Sequence, residues 1–199
     1  MYRPFERLSR QRMPSRGGDA AILGVADSGH VWQTDGSAWG VCRNMACTLG
    51  PEGSGNYARV DAQLSDQRVT ATFAPRPTTA LGQAAAGARM TPDWSTYALF
   101  VSLAPRGRVE VWTLINGGWS SIAAAVANTP YTSTIARTLQ VRTADTSLSV
   151  FVDGNSVINY SIPILSPSNA TMAGIYADTA DADSNNWPRT QRFSVVIGP

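Results

Sequence analysis

Apolar side chains recur at almost every second position of this chain beyond residue 18, and that period confines the fold to extended strands. Val69, Ala71 and Phe73 alternate with Arg68, Thr70 and Thr72, and Val109, Val111, Thr113 and Ile115 alternate with Arg108, Glu110, Trp112 and Leu114. The pattern continues through Leu139 and Val141, through Leu148, Val150 and Val152, through Ile162 and Ile164, and ends with Phe193, Val195 and Ile197. Where Tyr97, Leu99, Val101 and Leu103 alternate with Ala98, Phe100 and Ser102, both sets contain apolar residues, which predicts a central strand covered on two faces. No window carries a sustained 3.6-residue stripe; only the Ala-rich stretch from Ile122 to Ala127 is ambiguous.

Turn residues fall between these runs where hairpins need them. Asn116-Gly117-Gly118 separates VEVWTLI from WSSIAAAV, and Asp153-Gly154 separates SLSVFV from the run ending in VINYSI; both demand positive φ. Pro105-Arg106-Gly107 and Ala144-Asp145-Thr146 mark further reversals. About eleven short strands at roughly 8–12-residue spacing predict an antiparallel sandwich or jelly roll. Composition agrees: Glu occurs only as Glu6, Glu52 and Glu110 and Lys is absent, so a charged helical surface cannot be assembled. Alternating βα units are missing, which excludes a doubly wound sheet, and 199 residues suit one domain.

The formal net charge of +2 divides unevenly along the chain. Residues 1–16 hold Arg3, Arg7, Arg10, Arg12 and Arg16 against Glu6, a charge of +4, and the remainder has 11 Arg against 13 acids, or −2. No stretch is apolar enough for a signal peptide or a membrane span, so neither export nor membrane insertion is expected. Residues 1–18 thus read as an Arg-rich arm ahead of a domain over 19–199. Disorder, nucleic-acid binding and folding onto a partner compete as readings of it. The anchors Tyr2, Phe5, Leu8 and Met13 among the arginines point to partner docking, through Arg3, Phe5, Arg7, Leu8, Arg10 and Arg12. A nucleic-acid role rests on the arm alone, because the body is net acidic without a basic stripe.

The only two cysteines, Cys42 and Cys47, have a spacing that fits neither a redox CxxC nor a zinc knuckle. Across a tight hairpin they could meet as a disulfide. Without an export signal, the expectation is two small half-buried thiols.

The order of segments, from LGVADSGHVWQTDGSAWGVCRNMA through YARVDAQLSDQRVTATF, YALFVSLAPRGRVEVWTLINGGW, LQVRTADTSLSVFVDGNSVINYSI and AGIYAD to RFSVVIG, resembles the concanavalin A-like, laminin-G-like jelly-roll superfamily. More closely it resembles lectin-like modules of bacteriophage tail and virion-surface proteins. That resemblance covers about residues 23–199 and implies an antiparallel jelly-roll sandwich behind an extended N-terminal arm. It places Trp32 and Trp39 with Gly40 in the opening hairpin, Asp153-Gly154 in a turn, and Phe193 in the strand that closes the sheet. It also implies a virion setting, in which the arm docks on other virion proteins and the jelly roll faces a host-surface glycan, in a homo-oligomer whose copy number no motif fixes.

Fold alone leaves lectins, glycosidases, polysaccharide lyases and purely structural decoration open. Carboxylate catalysis needs two acids flanking one bond, and the chain has no Glu-x-Asp-x-Glu array; Glu110 beside Arg108 reads as a sheet-surface ion pair. The lone His30 reads as structural. A non-enzymatic protein is therefore expected, with a glycan-degrading enzyme as the alternative. The loop YADTADADSNNWPRTQ brings Asp178, Asp181, Asp183 and Asn185 into the oxygen-rich spacing that suits Ca²⁺, although Asp, Asn and Ser also simply make exposed turns. Of the aromatics, Trp32, Trp39 and Trp112 lie on predicted strands and are assigned to core or sheet packing. Trp94, Tyr131 and Trp187 lie in predicted loops, where their faces could stack on sugar rings, and are the glycan-binding candidates.

Overall fold

The computed structural model describes residues 21–22, 30–34, 39–43, 45–48, 55–127, 134–162, 167–180 and 187–197. Fifteen strands are formed among them and no helix. Four short strands come first, β1 (Ala21–Ile22), β2 (Gln33–Thr34), β3 (Trp39–Cys42) and β4 (Met45–Thr48). They are followed by β5 (Gly55–Asp61), β6 (Gln67–Phe73), β7 (Ala84–Met90), β8 (Tyr97–Leu103) and β9 (Arg108–Ile115). The chain continues through β10 (Gly118–Val126), β11 (Arg137–Ala144), β12 (Ser147–Val152), β13 (Asn155–Ser161), β14 (Met172–Asp178) and β15 (Arg189–Ile197). The expected count of about eleven falls short chiefly because β1 to β4 have two to four residues each, too few for alternation to show. The ambiguous Ala-rich stretch is strand β10.

All pairings are antiparallel and build two sheets, ordered β1-β3-β4-β15-β6-β11-β12-β13 and β10-β9-β8-β7-β14-β5-β2. The turns form as their residues require. Asn116 and Gly117 take φ of 49° and 80°, and Asp153 and Gly154 take 50° and 83°, the paired positive values of a type I′ hairpin. Strand β8 lies between β7 and β9 with all seven residues buried, as its two apolar sets predict.

Between the sheets, one alternating set from each strand interlocks. Val69, Ala71 and Phe73 of β6 face inward with Leu139 and Val141 of β11, opposite Ala84, Ala86 and Ala88 of β7 and Leu99, Val101 and Leu103 of β8. Burying each large apolar side chain contributes about 1.5–3 kcal/mol. Trp32, just before β2, meets Phe193 of β15 across the sandwich with ring centroids 5.2 Å apart. Trp32 and Trp39 are both buried, as assigned, but they share no opening hairpin: β2 pairs with β5 in one sheet, while Trp39 and Gly40 belong to the β3–β4 hairpin in the other. Phe193 sits on an interior strand, between β4 and β6.

The cysteine expectation is overturned. Cys42 and Cys47 are joined by a disulfide across the β3–β4 hairpin, their Cα atoms 5.8 Å apart, because the short turn at Arg43 (φ 52°) brings the strands back face to face.

One buried cation ties the end of the sandwich together. Arg89, 2% exposed at φ 49° where β7 breaks register with β14, donates from Nε to the Ser65 carbonyl at 3.0 Å and from Nη1 to the Asp145 carbonyl. Its Nη2 lies 2.6 Å from Asp66 Oδ1.

Candidate functional site

The outer faces of the two sheets differ in kind. On the eight-stranded sheet the outward set is polar: Thr70 receives a bond from Gln140 Nε2 at 3.2 Å, Thr72 and Thr138 share one at 3.1 Å, and Arg142 lies over the Phe151 ring. On the seven-stranded sheet the outward set is aromatic. Strand register places Tyr57 of β5 beside Tyr176 of β14, and Phe100 of β8 beside Trp112 of β9.

This second face is concave. Tyr57 and Trp119 stand on strands five positions apart, about 24 Å along a flat sheet, yet their ring centroids are 6.3 Å apart and nearly parallel. Side-chain reach spans only part of that gap, so the sheet itself curls and carries the β9–β10 hairpin over its own face. Two glycines allow close packing on this face. Gly87 of β7 has no space for a side chain, since a Cβ there would lie 2.7 Å from Met90 Sδ and 2.9 Å from Phe100 Cε1. At Gly174 of β14 a Cβ would sit 2.3 Å from the Ala58 carbonyl oxygen.

Tyr57 is the hub of the cluster. Its ring centroid is 4.7 Å from Trp94, 5.0 Å from Tyr176 and 5.3 Å from Phe100, spacings at which aromatic pairs attract. Trp94 arrives from the β7–β8 loop, held at φ 49° by a hydrogen-bonded frame. Asp93 accepts from the Thr91 and Thr96 hydroxyls, both at 2.6 Å, and these bonds, Thr91 first, hold its carboxyl below the usual range. The Thr91 hydroxyl accepts from Tyr97 N at 3.1 Å. The β9–β10 turn hangs on the same loop through Asn116 N to the Thr96 carbonyl (3.2 Å) and Gly117 N to the Ser95 carbonyl (2.9 Å). Trp94 and Trp119 are thereby positioned by one linked pair of loops.

Above the cluster opens a groove of about 400 Å³, within the range of small-molecule sites. Tyr57 and Phe100 are buried beneath it, while Trp112, Tyr176 and the 44%-exposed Trp119 border it. Gln83, Ser102 and Asp178 add polar groups. Burial, and secondarily the charge of Asp178, pushes the Tyr176 hydroxyl up to about 12, so it stays protonated and able to donate. Burial also raises the Asp178 pKa, against the bond from Ala180 N (3.0 Å) and the charge of Arg76. The arrangement joins apolar ring faces to a few directed donors and acceptors.

Trp94 belongs to this cluster, by stacking on Tyr57. Trp187 is half-buried, precedes β15 of the other sheet and does not line the groove. Tyr131 lies outside the described residues, as do the whole arm with Arg3, Phe5, Arg7, Leu8, Arg10 and Arg12, and Asp181, Asp183 and Asn185 of the calcium expectation. Asp178 borders the groove, and among the described residues no three His, Cys, Asp or Glu side chains gather to hold a metal. Trp112, assigned to core or sheet packing, stands on the outward face at the groove. Tyr57, Phe100, Trp119 and Tyr176 also form the site, and of these only Phe100 falls in the alternating set of a strand that the period makes explicit. Glu110 is held by Arg108 at 2.6 Å, the ion pair its spacing predicts, but Glu110 itself is buried and only Arg108 is at the surface.

In sequence, no family model and no curated protein matches the chain. In structure, it is similar to the carbohydrate-binding module CBM66 from Bacillus subtilis, at TM-score 0.65 and 15% identity over 83% of this chain and 95% of the module. The exoplasmic/lumenal domain of VIP36 in its Ca²⁺/Man2-bound form superposes at TM-score 0.60 and 14% identity, over 88% of this chain and 85% of that one. A Bacillus subtilis protein of unknown function with a galectin-like fold follows at 0.59 and 10%, over 84% and 90%. The fold is a galectin-like, concanavalin A-like jelly roll. Identities at this level carry the architecture and leave the chemistry to the groove.

Proposed function

We propose that this protein is a non-enzymatic carbohydrate-binding module that seats a glycan in the concave groove of the seven-stranded sheet. The observation that carries the reading is an outward sheet face built of aromatics, where solvent contact ordinarily selects polar residues as it does on the opposite sheet. Pyranose rings offer one apolar face and a rim of hydroxyls. Trp112, Trp119 and Tyr176 supply surfaces for the first, and Gln83, Ser102, Asp178 and the Tyr176 hydroxyl supply partners for the second. Support also comes from the similar folds of CBM66, titled a carbohydrate-binding module, and of VIP36 bound to mannose-containing ligands. One carboxylate, Asp178, borders the groove among the described residues, and glycoside hydrolysis employs two.

The wider setting we propose is a bacteriophage virion, as a minor tail or capsid-surface protein. Residues 1–18 dock on a virion partner, and the jelly roll is displayed, in a homo-oligomer, toward host-surface glycan. Support for this part is the charge division between arm and body and the resemblance to phage lectin-like modules. A glycan array decides the binding reading: at least one glycan class should bind, and an array blank with calcium and with EDTA would remove it. The EDTA arm also tests the calcium expectation on Asp178, Asp181, Asp183 and Asn185. Deleting residues 1–18 should leave the jelly roll folded and abolish attachment to the particle.

A further inference from the structure

Among the residues described, the groove carries one carboxylate, Asp178, and no basic side chain. The arginines around the sheet do not line the groove, although the charge of the buried Arg76 acts on Asp178 from behind. Arg59 donates from Nη2 to the Pro92 carbonyl at 2.7 Å, Arg108 bonds Glu110 at 2.6 Å, and Arg76, 2% exposed, donates to the Leu81 carbonyl at 2.6 Å. What borders the groove is thus one negative charge and several ring faces, whose quadrupoles are also negative and attract cations. An acidic sugar would meet like charge, with no guanidinium among the described lining residues to receive it. A neutral sugar would leave Asp178 in the partly desolvated state that already disfavours its ionised form. A protonated amine would meet an opposite charge and π faces together.

Resting on the carbohydrate-binding reading, we propose that the groove selects sugars bearing a free amino group, with the Asp178 carboxylate taking the ammonium and the sugar ring seated against Tyr176 and Trp119. Asp178 is the specificity-determining residue. Its position is fixed at the end of β14 by its own N–H to the Gln83 carbonyl (3.0 Å) and by Ala180 N to its Oδ1 (3.0 Å), so the carboxylate is held at the groove.

The experiment is a glycan array in which each backbone is present as the neutral sugar, the N-acetylated amine, the free amine and the uronate. It is probed with the full chain, with Asp178→Asn and with Asp153→Asn, the last in the β12–β13 turn of the other sheet. The carboxamide introduced by Asp178→Asn keeps an acceptor for Ala180 N and removes only the charge, and thermal unfolding verifies that each variant folds. Wild type and Asp153→Asn should prefer the free amine over its N-acetylated form by about tenfold, ~1.4 kcal/mol, and Asp178→Asn should lose that preference while holding neutral sugars within about twofold of wild type. Equal binding of amine and N-acetyl forms, a preference for uronates, or a preference that survives in Asp178→Asn overturns this proposal and leaves the carbohydrate-binding reading standing. A blank array overturns both.

Discussion

Replacing Trp119 with Ala separates the groove from the fold. The ring touches Phe100 at 5.5 Å and Tyr57 at 6.3 Å, and 44% of the residue remains exposed. A tryptophan buries about 150–250 Å² in full, so roughly 85–140 Å² of covered apolar surface is lost here. At ~25 cal/mol per Å² that is about 2–3.5 kcal/mol as an upper bound, and nearer 2 kcal/mol for a realistic unfolded chain. The exposed part is what a sugar would cover, and losing one stacking wall should weaken glycan binding by about 10- to 30-fold, ~1.4–2 kcal/mol. Val150→Ala supplies a matched control, since Val150 is wholly buried between the sheets and its truncation costs a similar ~2 kcal/mol without reaching the groove. Denaturant unfolding should show comparable losses in the two variants, while titration calorimetry with the strongest array ligand should show weakened binding only for Trp119→Ala. If Trp119→Ala binds within twofold of wild type, or if Val150→Ala loses as much affinity, the groove is not the site.

Four further outcomes are expected. Reducing the Cys42–Cys47 disulfide should cost about 2 kcal/mol, the chain-entropy value for so short a loop; a thiol assay that finds free cysteines in the native protein would contradict the bridge itself. Arg89→Met should destabilise by about 3 kcal/mol, because Ser65 O, Asp145 O and Asp66 lose a common donor at a buried position; a loss under 1 kcal/mol by denaturant unfolding would show that water replaces it. Tyr97→Phe should be neutral or stabilising by about 1 kcal/mol, since the buried hydroxyl has no hydrogen-bond partner among the described residues, whereas a clear loss would reveal one. With Tyr176 pushed up to about 12 against ~10 unfolded, the folded state keeps its proton longer. Its contribution of about 2–3 kcal/mol is therefore intact below pH ~10 and lost as pH climbs toward 12, and the alkaline fall in denaturant midpoint should flatten in Tyr176→Phe.

Alternation made most of the sandwich readable. Strands such as β6, with its strict buried and half-buried pattern, and turns such as Asp153-Gly154 announce themselves because side-chain direction and positive φ are local properties. What was not local was missed. The disulfide depends on two four-residue strands closing face to face, and the placement of Trp32 and Trp39 in separate sheets depends on a crossover that no period records. The groove residues were misjudged for a related reason. Loop position identifies Trp94 as an exposed aromatic but not Tyr57, Trp112, Trp119 and Tyr176, which stand on strands. Assigning the strand residue Trp112 to packing overlooks that among the described residues no further layer packs on the second face of this sheet. The available signal lay in the outward sets themselves: Phe100 and Trp112 occupy positions where the other sheet carries Thr70, Thr72 and Gln140.

An aromatic outer face costs solubility, and the way this one is built limits that cost. Tyr57 and Phe100 are 7% and 2% exposed because the rings around them, Trp94, Trp119 and Tyr176, close over one another. The cluster is thus a small second core that leaves only its rim for a ligand. Curvature contributes to this: on a flat sheet Trp119 would lie beyond reach of Tyr57, and the cluster would lose that part of its cover. The cluster also needs the close approaches at Gly87 and Gly174 and the loop frame of Thr91, Asp93 and Thr96, which carries both Trp94 and the β9–β10 turn. Residues that read as ordinary turn and strand chemistry are therefore what bring the rings together.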